Sequence, residues 1–369
     1  MTQAAMSHGM LRLAVAGGGT AGHVYPALAV ISAWRKMVGP EAPILYLGSG
    51  AGIEEVLVER AGIPFSSIQA GPLRGKNPLV VACSIIRLAW GVGQAWKALS
   101  DFQPHVLLAT GGYVSIPAAL AARLRRVSLA LYLPDIEPGW AIRFMATLAR
   151  RIAVTSAASK AYLPASKVIE TGYPVRDEVW GLDKSEARRR LGLEVDFPTL
   201  LVMGGSRGAR SINRAVSEAL EPLLQTCQVI HICGPDDEDW LRERASRLEE
   251  TLAARYFLYP YLHSLFPSAL ASADLVLSRA GASVLGEYPA VGLPSLLVPY
   301  PYAGSHQEKN ACFLSQAGAA QVIRNGQVSS LHVTVKGLLE DRERLAQMSR
   351  EALNLRRPQA AQDIATMLV

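Results

Sequence analysis

Cysteine is scarce in this chain: 369 residues hold only Cys83, Cys227, Cys233 and Cys312, with no Cys-x-x-Cys pair and no neighbouring histidine at metal-ligand spacing. That argues against a disulfide scaffold and a zinc site, and reads as reduced core thiols in a reducing compartment. Charge is thin, at 18% of residues, and no segment is of low complexity, which speaks against disorder. The first ten residues lack the basic-then-apolar layout of a signal peptide. A long apolar run is missing too. The uncharged stretch 102–122 is interrupted by Gly111-Gly112 and Pro117, and its first half reads as a strand rather than half a membrane span. A soluble or membrane-surface protein of the cytoplasm is expected.

What is present points to an α/β protein. Half of the residues are apolar, with 31 Gly and 22 Pro, as many tight strand-to-helix turns would require. The length exceeds what one hydrophobic core usually supports, so two domains are expected. Short apolar, β-branched runs recur at residues 11–16, 44–47, 105–109, 129–133 and 151–154, and again at 199–203, 229–233, 256–259, 275–278 and 295–299. Each run leads into a turn and an amphipathic stretch, the rhythm of βαβ units and parallel sheets. Two Rossmann-like domains follow, residues 1–175 and 176–369, with the boundary in the segment 172–193. Residues 331–369 read as helical, and the last helix is a candidate to pack back on the first domain.

The net charge of +6 is unevenly spread. Residues 1–175 carry 16 Lys plus Arg against 8 Asp plus Glu, whereas residues 176–369 carry 21 against 23. The basic excess of the first half suits an anionic membrane surface, a pyrophosphate or a nucleic acid.

Three glycine-rich loops follow strand candidates. Gly17-Gly18-Gly19-Thr20-Ala21-Gly22-His23 closes the first and leads to a helix expected to open near Pro26; Thr110-Gly111-Gly112-Tyr113-Val114-Ser115 closes the third; Gly204-Gly205-Ser206-Arg207-Gly208-Ala209 closes the first strand of the second half. Backbone N–H groups in such loops, beside a helix N-terminus, hold phosphate or pyrophosphate. Any one alone reads equally as a tight turn, but three after strands in two domains should face a shared ligand cleft at the strands' carboxyl ends. A nicotinamide dinucleotide is excluded, because the second strand ends at Leu47-Gly48-Ser49-Gly50 with no acidic residue for a ribose. Asp236-Asp237-Glu238-Asp239 contains an Asp-x-Asp, and is read as acids favouring a helix N-terminus rather than as metal ligands.

With these loops come Gly172-Tyr173-Pro174-Val175-Arg176, Ser278-Arg279-Ala280-Gly281-Ala282, Glu287 with Gly292-Leu293-Pro294, and His306-Gln307 with Asn310. In this order and spacing, over some 300 residues, the chain resembles the MurG family of glycosyltransferase family 28, which makes lipid II from lipid I.

The resemblance implies a two-domain GT-B fold with the acceptor in the first domain and UDP-N-acetylglucosamine in the second. Glu287 would bond the ribose hydroxyls, and Ser206, Arg207 and Gly208 would lie by the donor phosphates with Arg176 near. His306 and Gln307 would bond the transferred sugar. Donor contacts are also implied at Thr20, Ala21, Gly22, Leu262, Ala282 and Asn310, and acceptor contacts at Gly18, Gly19, Gly111, Gly112 and Tyr113. Blander roles stand beside these: Glu287 as an exposed helix acid, Arg176 as a surface ion-pair partner, Gln307 and Asn310 as polar groups of a helix start.

The reaction implied is an inverting displacement at the sugar's anomeric carbon by the 4-hydroxyl of the MurNAc unit of lipid I. No cofactor is required, and Mg2+ accompanying the diphosphate stays open. The departing charge would be offset by N–H groups, a helix dipole and cations. His23 is the candidate base, an imidazole being near-neutral at cytoplasmic pH, with a loop-stiffening role as its alternative. Residues 78–90, apolar among Arg74, Lys76, Arg87 and Lys97, suit an anionic membrane surface or a buried crossover helix. Expected partners are UDP-N-acetylglucosamine, a lipid-linked acceptor, the cytoplasmic face of the cell membrane and other cell-wall synthesis proteins, with no nucleic acid.

Three departures matter. Ala21 replaces a usual glycine, Arg207 stands where glutamine is common, and the family's His-Glu-Gln-Asn segment reads Tyr132-Leu133-Pro134-Asp135. Asp135 could therefore replace His23 as base or select another acceptor. Rival readings are a GT-B transferase for another lipid-linked acceptor, a UDP-N-acetylglucosamine 2-epimerase, and a non-catalytic nucleotide-sugar sensor.

Overall fold

The computed structural model describes residues 11–19, 21–50, 53–71, 78–205, 208–301 and 306–369. The chain forms two compact units: residues 1–134, 138–174 and 359–369 make the first, and residues 135–137 with 175–358 make the second.

The first unit is built on seven strands: β1 (Leu13–Gly17), β2 (Ile44–Gly48), β3 (Phe65–Ser67), β4 (Val106–Gly111), β5 (Ser128–Leu133), β6 (Arg151–Val154) and β7 (Val168–Glu170). All pair in parallel, in the order β3-β2-β1-β4-β5-β6-β7. The central strands β1 and β4 are buried along their whole length, which is why they read as unbroken apolar runs rather than as alternating ones.

The second unit carries six more: β8 (Thr199–Met203), β9 (Gln228–Ile232), β10 (Tyr256–Tyr259), β11 (Leu275–Ser278), β12 (Ser295–Leu297) and β13 (Ala320–Val322). These are again parallel, in the order β10-β9-β8-β11-β12-β13. In each sheet the strand order reverses once, between β1 and β4 in the first and between β8 and β11 in the second. Such a reversal leaves a crevice at the strands' carboxyl ends where open α/β sheets bind ligands.

Helices cover the sheets. Helix Ala21–Val38 connects β1 to β2 and starts five residues before Pro26, which lies inside it. Ala21 is therefore in a helical first turn, where an L-residue carries no positive-φ strain. Helix Pro78–Phe102 leads into β4; Gly91, Ala95 and Leu99 face the core, while Ile86 and Trp90 are 69% and 68% exposed. The side chains of 78–83, including Cys83, lie outside the described residues. Helices Leu331–Glu340 and Arg342–Asn354 close the second core, and Ala360–Leu368 packs on Ala21–Val38 within the first unit. Among the described residues no helix is long and apolar enough to cross a membrane. Cys227 and Cys233 are buried thiols, but Cys312 is exposed rather than a core residue, because its position on helix His306–Gln316 faces away from β13 and the core.

Candidate functional site

In the first unit the two glycine loops that follow β1 and β4 meet at the switch point. Gly17 pairs with Gly111 after a register shift at Ala16/Gly17. Gly112 has φ +82°, and a Cβ there would come within 2.4 Å of the Gly18 carbonyl oxygen; only glycine meets both demands. A Cβ on Gly111 would meet the His23 ring at 2.8 Å. Gly18 and Gly112 thus lie against each other, and Gly111 lies against the imidazole.

Thr110 holds His23 at both its ring and its main chain. The His23 Nδ1 lies 2.9 Å from the Thr110 carbonyl oxygen, and the Thr110 hydroxyl donates to the His23 carbonyl at 2.9 Å. A carbonyl can only accept, so Nδ1 carries the hydrogen and the lone pair of the neutral ring sits on Nε2. In this tautomer the ring's basic nitrogen is Nε2. Ser115 secures the second loop, its hydroxyl reaching the carbonyls of Ala16 (3.0 Å) and Gly111 (2.7 Å). Tyr113 is partly exposed beside the loop, its ring 5.9 Å from that of Trp140. Thr20 lies outside the described residues; Gly22 lies in the helix's first turn.

In the second unit the loop after β8 abuts the end of β9. Gly208 has φ +74°, and a Cβ there would sit 2.1 Å from the Cys233 carbonyl oxygen. Ser206 and Arg207 lie outside the described residues. Behind the loop runs a buried polar chain: Tyr256 hydroxyl to His231 Nδ1 (2.8 Å), His231 Nε2 to Asn213 Oδ1 (3.0 Å), and Asn213 Nδ2 to both the Cys233 carbonyl and Asp237 Oδ2 (2.8 Å each). Burial pushes the His231 ring down to about 3, with the nearby Asp237 opposing. Asp237 also accepts from Trp240 Nε1 at 2.9 Å and pairs with Arg210 at 3.1 Å. Asp237 stands at the start of helix Glu238–Ala245, with Glu238 and Asp239 in the first turn, as expected of acids that favour a helix N-terminus. Its side chain makes no cap hydrogen bond and is buried at the strand end, tying the helix after the glycine loop to β9.

After β11 come the other expected donor residues. Glu287 begins helix Glu287–Val291 and is 5% exposed, with Arg176 Nη2 3.9 Å from its Oε1. Burial raises its carboxyl above the usual range, against lowering by Arg176 and by a hydrogen bond from Ser283. It is not an exposed helix acid, and Arg176 is not a surface residue: its guanidinium lies 5.6 Å from the centre of the Phe266 ring. Ala282 opens a short 3-10 turn ahead of Glu287, and Leu262 is buried after β10.

Helix His306–Gln316 supplies the rest. His306 Nδ1 is 2.9 Å from the Glu137 carbonyl, and Gln307 Oε1 accepts from Tyr300 N–H at 2.9 Å. Asn310 is fully buried and its amide is spent within the protein: Nδ2 donates to Asp135 Oδ1 (2.8 Å) and the Ala280 carbonyl (3.1 Å), and Oδ1 accepts from Ile136 N–H (3.0 Å). Its side chain therefore braces the 135–137 and Ala280–Ala282 segments rather than reaching outward. In the substituted segment, Tyr132 and Leu133 are core residues, the Tyr132 hydroxyl bonding that of Thr155 at 2.9 Å. Asp135 is only partly buried.

The sequence reading missed Thr110 as the anchor of His23, Asp237 as a buried brace, and Glu54. Glu54 follows Ile53 at a helix start, where an acid looks like an ordinary dipole partner; only its complete burial distinguishes it. Among the described residues no group of three His, Cys, Asp or Glu side chains gathers as a metal site.

Sequence profiles of the N-terminal and C-terminal domains of glycosyltransferase family 28 match residues 13–154 and 199–364. The chain is similar to the UDP-N-acetylglucosamine–N-acetylmuramyl-(pentapeptide) pyrophosphoryl-undecaprenol N-acetylglucosamine transferases of Roseiflexus sp. strain RS-1, at 40% identity over 97% of this chain and 94% of that one, and of Desulforudis audaxviator, at 37% over 97% and 98%. Among solved structures it is similar in fold to MurG of Acinetobacter baumannii (TM-score 0.72, 22% identity, 98% and 99% of the two chains). The UDP-GlcNAc 2-epimerase of Neisseria meningitidis bound to UDP-GlcNAc follows at TM-score 0.70 and 14% identity, over 97% and 99%. The two-domain GT-B fold is thus shared with transferases and epimerases alike.

Proposed function

The chain belongs to the MurG family of glycosyltransferase family 28, and from that membership we propose that it transfers N-acetylglucosamine from UDP-N-acetylglucosamine to lipid I, forming lipid II. The observation that carries this reading is identity of 37–40% with transferases of that name over 97% of the chain. The fold alone does not separate transferase from epimerase, since solved epimerases resemble it about as closely.

The donor is assigned to the second unit, where the loop after β8 and the segment after β11 flank a switch point. Buried Glu287 takes the ribose hydroxyls, a task that suits a carboxylate able to accept two hydrogen bonds. The backbone N–H groups around Gly208 and the start of helix Arg210–Glu218 face the diphosphate, and Arg176 adds positive charge. This set offsets the charge of departing UDP. His306 and Gln307, each fixed by a backbone partner, bond the sugar. The acceptor is assigned to the paired glycine loops of the first unit. There His23 Nε2 takes the proton of the MurNAc 4-hydroxyl as that oxygen attacks the anomeric carbon and the bond to UDP breaks.

Membrane association is part of the reading. Ile86 and Trp90 stand exposed on one helix face beside Arg87 and Lys97, an apolar and basic combination suited to the cytoplasmic leaflet. Co-sedimentation with vesicles that does not depend on anionic lipid would remove it. Partnership with other cell-wall synthesis proteins is an extension of the same assignment.

A second reading, another lipid-linked acceptor, is favoured by Asp135 alone, a part-buried carboxylate where the family carries asparagine. Mass spectrometry of products from UDP-N-acetylglucosamine with a short-chain lipid I analogue tests both. A gain of one N-acetylhexosamine on the analogue is expected; no gain there but a gain on a different lipid-linked sugar would move the acceptor. UDP-N-acetylmannosamine formed without any acceptor would overturn transfer itself.

A further inference from the structure

Glu54 lies completely buried against the first glycine loop. Its Oε1 faces the Ser49 hydroxyl, the Ser49 N–H at 3.3 Å and the Gly19 N–H at 3.4 Å. The loop is pressed onto this carboxylate, for a Cβ on Gly18 would come within 2.6 Å of Oε1. A Cβ on Gly112 would come within 2.4 Å of the Gly18 carbonyl oxygen, and one on Gly111 within 2.8 Å of the His23 ring. Carboxylate, first loop, second loop and imidazole are thus linked by successive close approaches.

A carboxylate here is expensive. Burying an ionised group is costly unless it is well compensated, and Glu54 Oε2 is buried with no hydrogen-bond partner among the described residues. Stability alone would favour an apolar side chain of similar size. What a carboxylate supplies that leucine cannot is an acceptor for the Gly19 and Ser49 N–H groups, stronger than a neutral one. Of these, Gly19 is the donor on the loop that leads into the helix bearing His23.

We infer that Glu54 is a positioning residue of the acceptor side: it fixes the Gly17–Gly19 loop, and through it the loop pair and imidazole that receive the acceptor hydroxyl. The inference rests on the transfer to a lipid-linked acceptor proposed above. Glu54 does not touch the substrate. Its removal acts on turnover through the loop and leaves the donor site in the second unit unaffected.

The test is Glu54→Gln in the full chain, which keeps length and volume but replaces the charged acceptor by a neutral amide. With UDP-N-acetylglucosamine and a short-chain lipid I analogue, kcat falls at least tenfold while the KM for UDP-N-acetylglucosamine and the Kd of UDP stay within twofold. Hydrogen exchange speeds up at least tenfold in the peptide covering residues 17–23, and is unchanged in β2, β4 and the second sheet. Tyr46→Phe is the control. It removes a neighbouring buried hydroxyl that has no partner among the described residues, and it keeps both turnover and exchange.

A kcat within twofold of wild type, or faster exchange spread evenly over β1, β2 and β4, would overturn the inference, the second by showing a general structural role. An equal loss in Tyr46→Phe would overturn it as well. Failure of the wild-type protein to modify the lipid I analogue would sink the functional reading instead, and the exchange pattern then decides the role of Glu54 by itself.

Discussion

At the scale of single residues, function and stability pull apart most clearly at Glu287. Burial holds its carboxyl pKa above the unfolded value, so the folded state binds the proton more tightly and the charged form opposes folding as pH rises past the carboxylate range. Glu287→Gln removes that charge. At pH 7 to 8 the variant is expected to be at least as stable as wild type in urea unfolding, while calorimetry shows UDP binding at least tenfold weaker. A loss of stability with unchanged affinity would make Glu287 a structural residue. His23 gives the complementary case. His23→Gln preserves a donor to the Thr110 carbonyl but has no basic nitrogen, so turnover is expected to fall at least a hundredfold with UDP affinity unchanged. Near-normal turnover would end its assignment as base and turn attention to Asp135.

At the scale of elements, the glycine loops are where sequence and geometry meet. Gly112 needs both a left-handed backbone and room for the Gly18 carbonyl, so Gly112→Ala should cost about 1–3 kcal/mol, measured by urea unfolding, and lower turnover further by displacing the first loop. The loops themselves were legible: each follows an apolar run that is a strand, and each opens on a helix. The strands that escaped notice, β3, β7 and β13, have three residues each and lie at sheet edges. Edge strands are covered on fewer sides and need no apolar run, so Phe-Ser-Ser or Ala-Gln-Val carries no periodic signal. The helix start was misplaced for a different reason. Proline favours a helix's first turn, yet Pro26 lies inside the helix, whose start at Ala21 is set by the glycine loop.

At the scale of the whole molecule, stability should respond to acid through the buried chain behind the second-unit loop. His231 has a folded pKa of about 3 against about 6.5 unfolded. The unfolded chain therefore takes up a proton that the folded one refuses, and the stability due to this group falls as pH drops from about 6.5 towards 3. Between pH 7 and 4.5 the loss should be about 2–3 kcal/mol. His231→Gln, which cannot be protonated there, should flatten that slope even if its stability at pH 7 is lower. An unchanged slope in urea midpoints against pH would refute the assignment.

The sequence by itself determined the alternation of strand and turn, the presence of two parallel sheets and the three loops, because backbone pairing and burial act locally and leave periodic traces. It also carried the family, through motifs spread over the chain. Burial and partnership were decided only by tertiary structure. Asp237 and Glu54 look like ordinary helix-start acids until the fold encloses them, and Asn310 looks like a ligand until its amide is seen bonded to Asp135, Ile136 and Ala280. The imidazole of His23 is identifiable from sequence, but its tautomer depends on the Thr110 carbonyl 87 positions away, a pairing that exists only once β1 and β4 lie side by side.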